Sequence, residues 1–326
     1  MATGKRRIGE FDIIARYFAP LTAGDPLAFG LLDDAALVDV PDGQSLVMTK
    51  DLIVAGVHFL PDDPADLIAR KLLRVNLSDL AAMGAVPVAY LLGVALPESV
   101  DEDWLKAFSA GLGADQKTYG IHVIGGDTVA TPGPLTLSLT ALGTVARGSA
   151  ISRAGAKPGD DIYVSGTLGD AALGLKMLQG ELAPASQDLI DRYRLPRPRV
   201  AMGLALRGLA SAAADISDGL IADLGHICEA SSTGASIQEA ELPLSPPARV
   251  ALEANPELIA SILAGGDDYE LVVTAPPQAA DAIRACAERE SLALTKVGRI
   301  EQGRGVRVMT PDGGIRELKQ VGFTHY

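Results

Sequence analysis

The sequence predicts an α/β protein of two domains. Apolar strand-like runs alternate with helical patterns along the chain. A Gly/Pro-rich connection, Ala154 to Asp160, interrupts that alternation near the middle, and 326 residues exceed the usual size of one domain.

Taken in order, ALVDV and SLVMTKD (36–40 and 45–51) flank the turn residues Pro41-Asp42-Gly43 and read as a hairpin. Asp66 to Met83 reads as a helix, followed by the apolar strand VPVAYLLGVALP. A second helix covers Asp101 to Thr118. The short strand IHVI then runs into GGDT, and PLTLSLTALGTV is a long strand with small polar residues alternating. The first domain therefore covers 1–150 and the second 151–326. In the second, DIYVSG, the helical LGDAALGLKMLQG, the strand AADIS feeding SDGLIADLGHICEAS, the strand ELVVTAP, a helix over 277–290 and LALTKVGRI continue the alternation.

Composition removes several function classes. A net charge of −13 and a pI near 4.7 disfavour nucleic acid and anionic membrane, which are bound through Lys and Arg neutralising phosphate. Cys228 and Cys286 lack metal-ligand spacing and read as reduced structural residues, so the expected compartment is the cytoplasm. No apolar stretch has the length to span a bilayer. The phosphate-binding GxxxxGK[ST] loop, the kinase HRD and DFG sets and the GxSxG elbow are missing from the sequence.

What remains is a set of acidic clusters, most at the ends of apolar runs: Asp33-Asp34, Asp51, Asp79, Asp127, Asp215-x-Ser217-Asp218 and Asp267-Asp268. Hard divalent cations take such oxygen ligands, and Mg²⁺ typically joins one or two carboxylates to the phosphates of a substrate. Asp79 falls about 20° from Leu72 on a helical wheel, with Arg70, Lys71 and Arg74 opposite; a carboxylate on an apolar face needs a partner, a hydrogen bond or a metal. In Asp215-Ile216-Ser217-Asp218, period two sends Asp215 and Ser217 the same way while Ser217 or Asp218 caps the next helix. Gly125-Gly126-Asp127-Thr128 reads as a ligand approach or as an Asx turn. Asp223 reads as a solvated helix-face residue. Asp39, Asp42, Asp62 and Asp63 read as surface turn residues, and His58 and His226 as isolated histidines. Arg153 has the bidentate geometry for a phosphate, whereas Lys157 reads as solvated. Gly166 to Gly169 reads as an ordinary strand-helix turn rather than a phosphate cradle.

In this order and spacing, LLDDAAL, TKDLIVAGVHF, VNLSDLAAMGAVP, IGGDT, SRAGAKPGD, DISDGLIADLGH and GGDDYEL resemble the thiamine-monophosphate kinase family, from about Glu10 to Phe323. Each motif is weak alone; the series is specific within a superfamily that also holds aminoimidazole ribonucleotide synthetase, selenophosphate synthetase and a hydrogenase-maturation protein. The resemblance implies ATP-dependent phosphorylation of thiamine monophosphate to thiamine diphosphate with several Mg²⁺ ions. It also implies a homodimer whose N-terminal sheets pair, and a C-terminal α/β domain completing each site. By resemblance, Asp34, Thr49, Asp51, Asp79, Asp127, Asp215 and Asp218 match Mg²⁺ positions, and Gly126, Asp127, Arg153 and Ser217 match nucleotide contacts. His58, Asp267 and Phe323 match positions that meet thiamine phosphate. Because the implied acceptor is a phosphate oxygen largely ionised near neutral pH, no residue is assigned as a catalytic acid or base.

The chain departs from the family pattern at three places. Leu32 stands where a second glycine precedes the paired aspartates. Lys50 occupies a position that often carries a metal-binding hydroxyl, and is assigned to an ATP phosphate or to part of one Mg²⁺ site. Asp267 replaces the usual Glu. Rival readings are a sister activity of the superfamily, or a nucleotide- or cation-binding regulator that does not turn over.

Overall fold

The structure, a computed structural model, describes residues 8–318 and 322–323. The chain divides into two compact units, Met1–Asn76 with Pro87–Thr144, and Leu77–Val86 with Val145–Tyr326.

The first unit begins with the short helix α1 (Glu10–Ile13) and carries the strands β1 (Gln44–Val54), β2 (Val86–Leu96), β3 (His122–Ala130) and β4 (Thr136–Ala146) in the order β1-β4-β2-β3. The helices α2 (Ala65–Ala82) and α3 (Glu102–Tyr119) complete it; the last turns of α2 belong to the second unit. Asp101 caps α3, its carboxylate accepting the N–H of Trp104 at 2.9 Å, and Gly120 ends the helix in the left-handed region. On β2 the core face is Tyr90, Leu92, Val94 and Leu96, as period-two alternation requires.

Three expectations change here. ALVDV forms no strand: Ala36 and Val38 pack against Ala28, Ala89, Ile124 and Leu142, so the alternation serves packing, and β1 is an edge strand without a hairpin partner. GGDT is neither a loop nor an Asx turn, because it continues β3. A Cβ on Gly126 would lie 1.8 Å from the carbonyl oxygen of Leu92, so glycine is what lets β3 pass β2 at this point. Third, α2 is buried almost all round. Lys71 and Arg74 are buried, and Arg70 and Arg74 both donate to the buried Asp115, at 3.0 and 2.5 Å. The face opposite Asp79 is thus an ion-paired interior, because α2 is enclosed on both sides.

The second unit has a six-stranded mixed sheet, ordered β10-β7-β9-β5-β8-β6. Its strands are β5 (Asp161–Ser165), β6 (Ala212–Asp215), β7 (Gly234–Gln238), β8 (Leu271–Ala275), β9 (Leu294–Glu301) and β10 (Gly305–Met309). Only β10 and β7 pair in parallel among its described pairs. The helices are α4 (Asp170–Leu178), α5 (Gln187–Arg194), α6 (Val200–Ala205), α7 (Leu220–Ser231), α8 (Pro246–Ala254), α9 (Leu258–Ala264) and α10 (Ala280–Arg289). One core gathers Ile162, Val164, Ile216, Leu220, Leu224 and Val272; the other gathers Tyr163, Met202, Leu206, Val273 and the end of α2 at Ala81 and Ala82. Cys228 and Cys286 are free and buried. Among the described residues, no helix is long and apolar enough to cross a membrane.

Candidate active site

In the second unit the site is built on the antiparallel pair β6–β8. Asp215 pairs with Leu271 at the end of the ladder, and the two chains continue as a ribbon beyond it. The N–H of Ile216 donates to the carbonyl of Glu270, that of Tyr269 to Ile216, and that of Asp267 to Ser217, all at 2.8 to 2.9 Å. DISDG and GGDDYE, fifty residues apart, thus lie side by side. The close approach depends on Gly266, where a Cβ would lie 2.4 Å from the Ser217 carbonyl oxygen.

Asp267 and Tyr269 both adopt left-handed backbone, φ 72° and 50°, which costs a non-glycine residue of order 1 kcal/mol or more. The side chains on either side of Tyr269 hold that shape. The carboxylate of Asp268 accepts the N–H of Gly169 at 2.6 Å and of Ala171 at 3.3 Å, fastening the ribbon to the start of α4. Burial pushes Asp268 up to about 8, against the pull of the Gly169 amide and Arg192. Glu270, wholly buried, accepts from Ser165 Oγ at 2.6 Å, Arg192 Nη2 at 2.8 Å and Arg199 Nε at 2.6 Å. Gly166 to Gly169 is therefore the strand-helix turn the sequence suggests, with the Gly169 N–H taken by Asp268.

On the other side, Gly219 (φ 115°) turns the chain into α7 against Ala264, leaving no room for a side chain. Asp223 reaches back from the first turn of α7, and its Oδ2 accepts the N–H groups of Ser217 at 3.1 Å and Asp218 at 3.0 Å. It is 1% exposed, which corrects its reading as a solvated residue. Burial pushes it up to about 7; the Asp218 amide and Arg153 pull the other way. The N–H of Phe323 donates to the Asp218 carbonyl at 3.0 Å, so the C-terminal segment returns to the same turn. Asp215, Ser217, Asp218, Asp267 and Phe323 are thus brought together, with Arg153 exposed and close enough for its charge to act on Asp223.

In the first unit, alternation along β1 puts Thr49 and Asp51 on one face and Lys50 on the other, where its Nζ donates to Ser138 Oγ at 2.6 Å. A Cβ on Gly93 would touch Ser138, and Gly93 registers with Asp127, so Lys50, Ser138, Gly93 and Asp127 form a row across the four strands. Its two ends lie on opposite edges of the sheet, about 14 Å apart at ordinary strand spacing. Asp51 and Asp127 are therefore not neighbours within one chain. His58 follows β1 in a tight turn, and its Nδ1 accepts the N–H of Val54 at 3.1 Å, which assigns the proton of a neutral ring to Nε2. Asp33 and Asp34 are exposed, and Asp33 Oδ1 accepts the Asp34 N–H at 2.9 Å. Leu32 is 91% exposed at φ −106°, so the position of the missing glycine needs no left-handed backbone. Asp63, read as a surface turn residue, is buried and accepts the Leu60 N–H. Asp79, near the end of α2 and within the second unit, is half-buried.

Sequence reading missed Arg192, Arg199, Asp268 and Glu270 as the frame of the ribbon. The available signal was three charges around DDYE and a basic run, Arg192 to Arg199, too long for an isolated surface turn.

Both units have the build of the AIR synthase-related class. The family model "AIR synthase related protein, N-terminal domain" matches residues 32–145 and its C-terminal counterpart matches 157–310. Within that class the chain is 47% identical, over 91% of its length and 85% of the relative, to the thiamine-monophosphate kinase of Caulobacter vibrioides. It resembles the crystal structure of the Stenotrophomonas maltophilia enzyme of that name at 46% identity and TM-score 0.80, covering 87% of this chain and 90% of that one. It likewise resembles AaThiL complexed with AMPPCP and TMP, at 30% identity and TM-score 0.76, over 98% and 97% of the two chains. The chain belongs to the thiamine-monophosphate kinase family.

Proposed function

We propose that this protein transfers the γ-phosphoryl group of ATP to thiamine monophosphate, giving thiamine diphosphate and ADP. The observation that carries this is the ribbon: in a chain of this family, residues assigned separately to metal, nucleotide and thiamine phosphate (Asp215 and Asp218, Ser217, Asp267 and Phe323) are fastened to one another by backbone hydrogen bonds.

In-line phosphoryl transfer needs positioning and charge neutralisation more than covalent work by the protein. The acceptor is a phosphate oxygen already ionised near neutral pH, so no general base is required. Arg153 offers a planar fork for a phosphate and Lys50 a point charge. Ser217 and Gly126 contact the nucleotide, with Asp127 serving both nucleotide and metal. His58 meets the thiamine phosphate, and Asp267 and Phe323 orient the rest of that substrate. Asp267 reaches one methylene less than the family's Glu, and its left-handed backbone fixes where it points.

Mg²⁺ fits the donors present, which are carboxylates and one hydroxyl. Asp34 and Asp127 are exposed, and Asp215 stands at a strand end. Asp34, Thr49, Asp51, Asp79, Asp127, Asp215 and Asp218 would hold the ions. When bound, Mg²⁺ neutralises the phosphate charge that otherwise opposes transfer in so acidic a protein.

A homodimer is part of this reading. Met48 and Leu52, on the Lys50 face of β1, are exposed apolar residues, as are Leu91 and Val129 on β2 and β3; β1 and β3 both end the sheet as open edges. The two buried free thiols suit the cytoplasm.

The test incubates purified protein with ATP, Mg²⁺ and thiamine monophosphate, with EDTA and no-acceptor controls, and follows both products by chromatography. Stoichiometric, Mg²⁺-dependent thiamine diphosphate and ADP support the assignment. ADP alone points to another acceptor, and ATP binding without either product overturns the enzyme reading.

A further inference from the structure

Asp218, Asp223 and His226 each offer a ligand atom, and these atoms all lie within 4.8 Å of one another. Asp223 and His226 stand three residues apart on α7, so they share a helix face, while the DISDG turn brings Asp218 over them. Asp223 supplies a second observation. Its Oδ2 is committed to the two amides of the turn, whereas its Oδ1 is buried and has no hydrogen-bond partner among the described residues. A buried carboxylate oxygen in that state is costly, and native proteins rarely leave one without water, a donor or an ion. Neither Asp223 nor His226 is among the Mg²⁺ positions assigned above.

We propose that Asp218, Asp223 and His226 form a further cation site, adjoining the Mg²⁺ set through Asp218 and selective for a transition-series divalent ion such as Mn²⁺ or Zn²⁺. The imidazole decides the class: nitrogen suits the borderline first-row metals, while Mg²⁺ prefers oxygen ligands in near-ideal octahedral geometry. Donors about 2.1 Å from an ion lie at most about 4.2 Å apart across it, so roughly half an ångström of side-chain movement closes the set. The amides on Oδ2 hold the Asp223 carboxylate in place, and His226, being exposed, leaves the remaining positions to water or a phosphate oxygen. The site shares Asp218 with the proposed Mg²⁺ set and otherwise stands on the geometry of the second unit alone.

The test titrates the full chain, without nucleotide, with Mn²⁺ and separately with Zn²⁺, by calorimetry and, for Mn²⁺, by electron paramagnetic resonance. Wild type is compared with His226→Ala, an exposed change whose thermal melt should match wild type, and with Asp223→Asn. The expected result is one ion per chain fewer in both variants, or binding weakened by at least about tenfold, the low end of what losing an outer partner of a metal ligand costs. Tenfold excess Mg²⁺ should leave the wild-type ion in place. Equal stoichiometry and affinity in wild type and His226→Ala overturns the proposal, as does displacement by equimolar Mg²⁺. Because no nucleotide is present, failure of the kinase assignment leaves this result untouched, and the reverse also holds.

Discussion

The backbone N–H of Asp267 donates to the carbonyl of Ser217 at 2.9 Å, joining two acidic motifs fifty residues apart into one ribbon. The position of Asp267 therefore depends on that of Ser217, and any change that parts the strands moves both. Gly266→Ala is such a change, since its Cβ would lie 2.4 Å from the Ser217 carbonyl oxygen. A displacement approaching 1 Å at a reacting centre costs on the order of 10²-fold in rate. We expect kcat/KM for thiamine monophosphate to fall by about that factor, with a loss of about 1–3 kcal/mol in stability. Unchanged steady-state kinetics would show that the ribbon does not set the geometry.

Glu270 is wholly buried and pairs with the buried Arg192 and the partly buried Arg199, so Glu270→Gln removes the carboxylate they share and leaves Arg192 only Asp170, 4.0 Å away. Removing one partner of a buried ion pair typically costs about 3–5 kcal/mol, because the remaining charge is left uncompensated. Urea denaturation of the variant should show a loss in that range. A loss under about 1 kcal/mol would mean that water already reaches the arginines.

The Lys50 ammonium, on Ser138 in the row that ends at Asp127, is assigned to an ATP phosphate. Lys50→Thr should raise KM for ATP by about tenfold, the loss of one charged hydrogen bond, and leave KM for thiamine monophosphate in place. A shift only in the Mg²⁺ requirement would place Lys50 with the metal instead.

Much of this was legible in the sequence, for physical reasons that differ by residue. Strands such as VPVAYLLGVALP are long apolar runs bounded by turn residues, and Asp101 announced α3 as a cap does. ALVDV shows the limit: alternation reports which side chains are buried, and here burial came from packing under β3 and β4 without a ladder. Asp223 was misread because a helical residue near a turn can either face water or reach back to cap it, and only the fold decides. β7 and β10 went unread as strands because each is five residues long and begins at a glycine. The frame of Arg192, Arg199 and Glu270 was invisible because its members become neighbours only through tertiary packing.

Asp268 gives the stability a pH dependence of known sign. Its pKa is raised from 3.8 unfolded to about 8 in the fold, so between those values the folded chain holds a proton that the unfolded chain has released. Its contribution to stability is therefore complete below about pH 4 and lost progressively as pH rises towards 8. Asp268→Asn keeps an acceptor for the Gly169 N–H and has no proton to lose. Denaturation from pH 5 to 8 should show wild type losing stability relative to the variant as pH increases. A difference that is flat, or that grows in favour of wild type, would mean Asp268 is ionised in the fold.

Asp51 on β1 and Asp127 on β3 stand at opposite edges of one sheet, too far apart for their side chains to share an ion within a chain. If both serve one phosphate-bound Mg²⁺, the second copy must supply one of them. Asp51→Asn and Asp127→Asn should each abolish turnover while leaving the dimer intact by light scattering. Mixed after dissociation and reassociation, they should recover activity, because each heterodimer carries one site with both substitutions and one with neither. Random pairing makes half of the dimers mixed, so recovery should approach about a quarter of wild type. No recovery in a mixture shown to contain heterodimers would place the two carboxylates at separate ions and leave each chain with a complete site of its own.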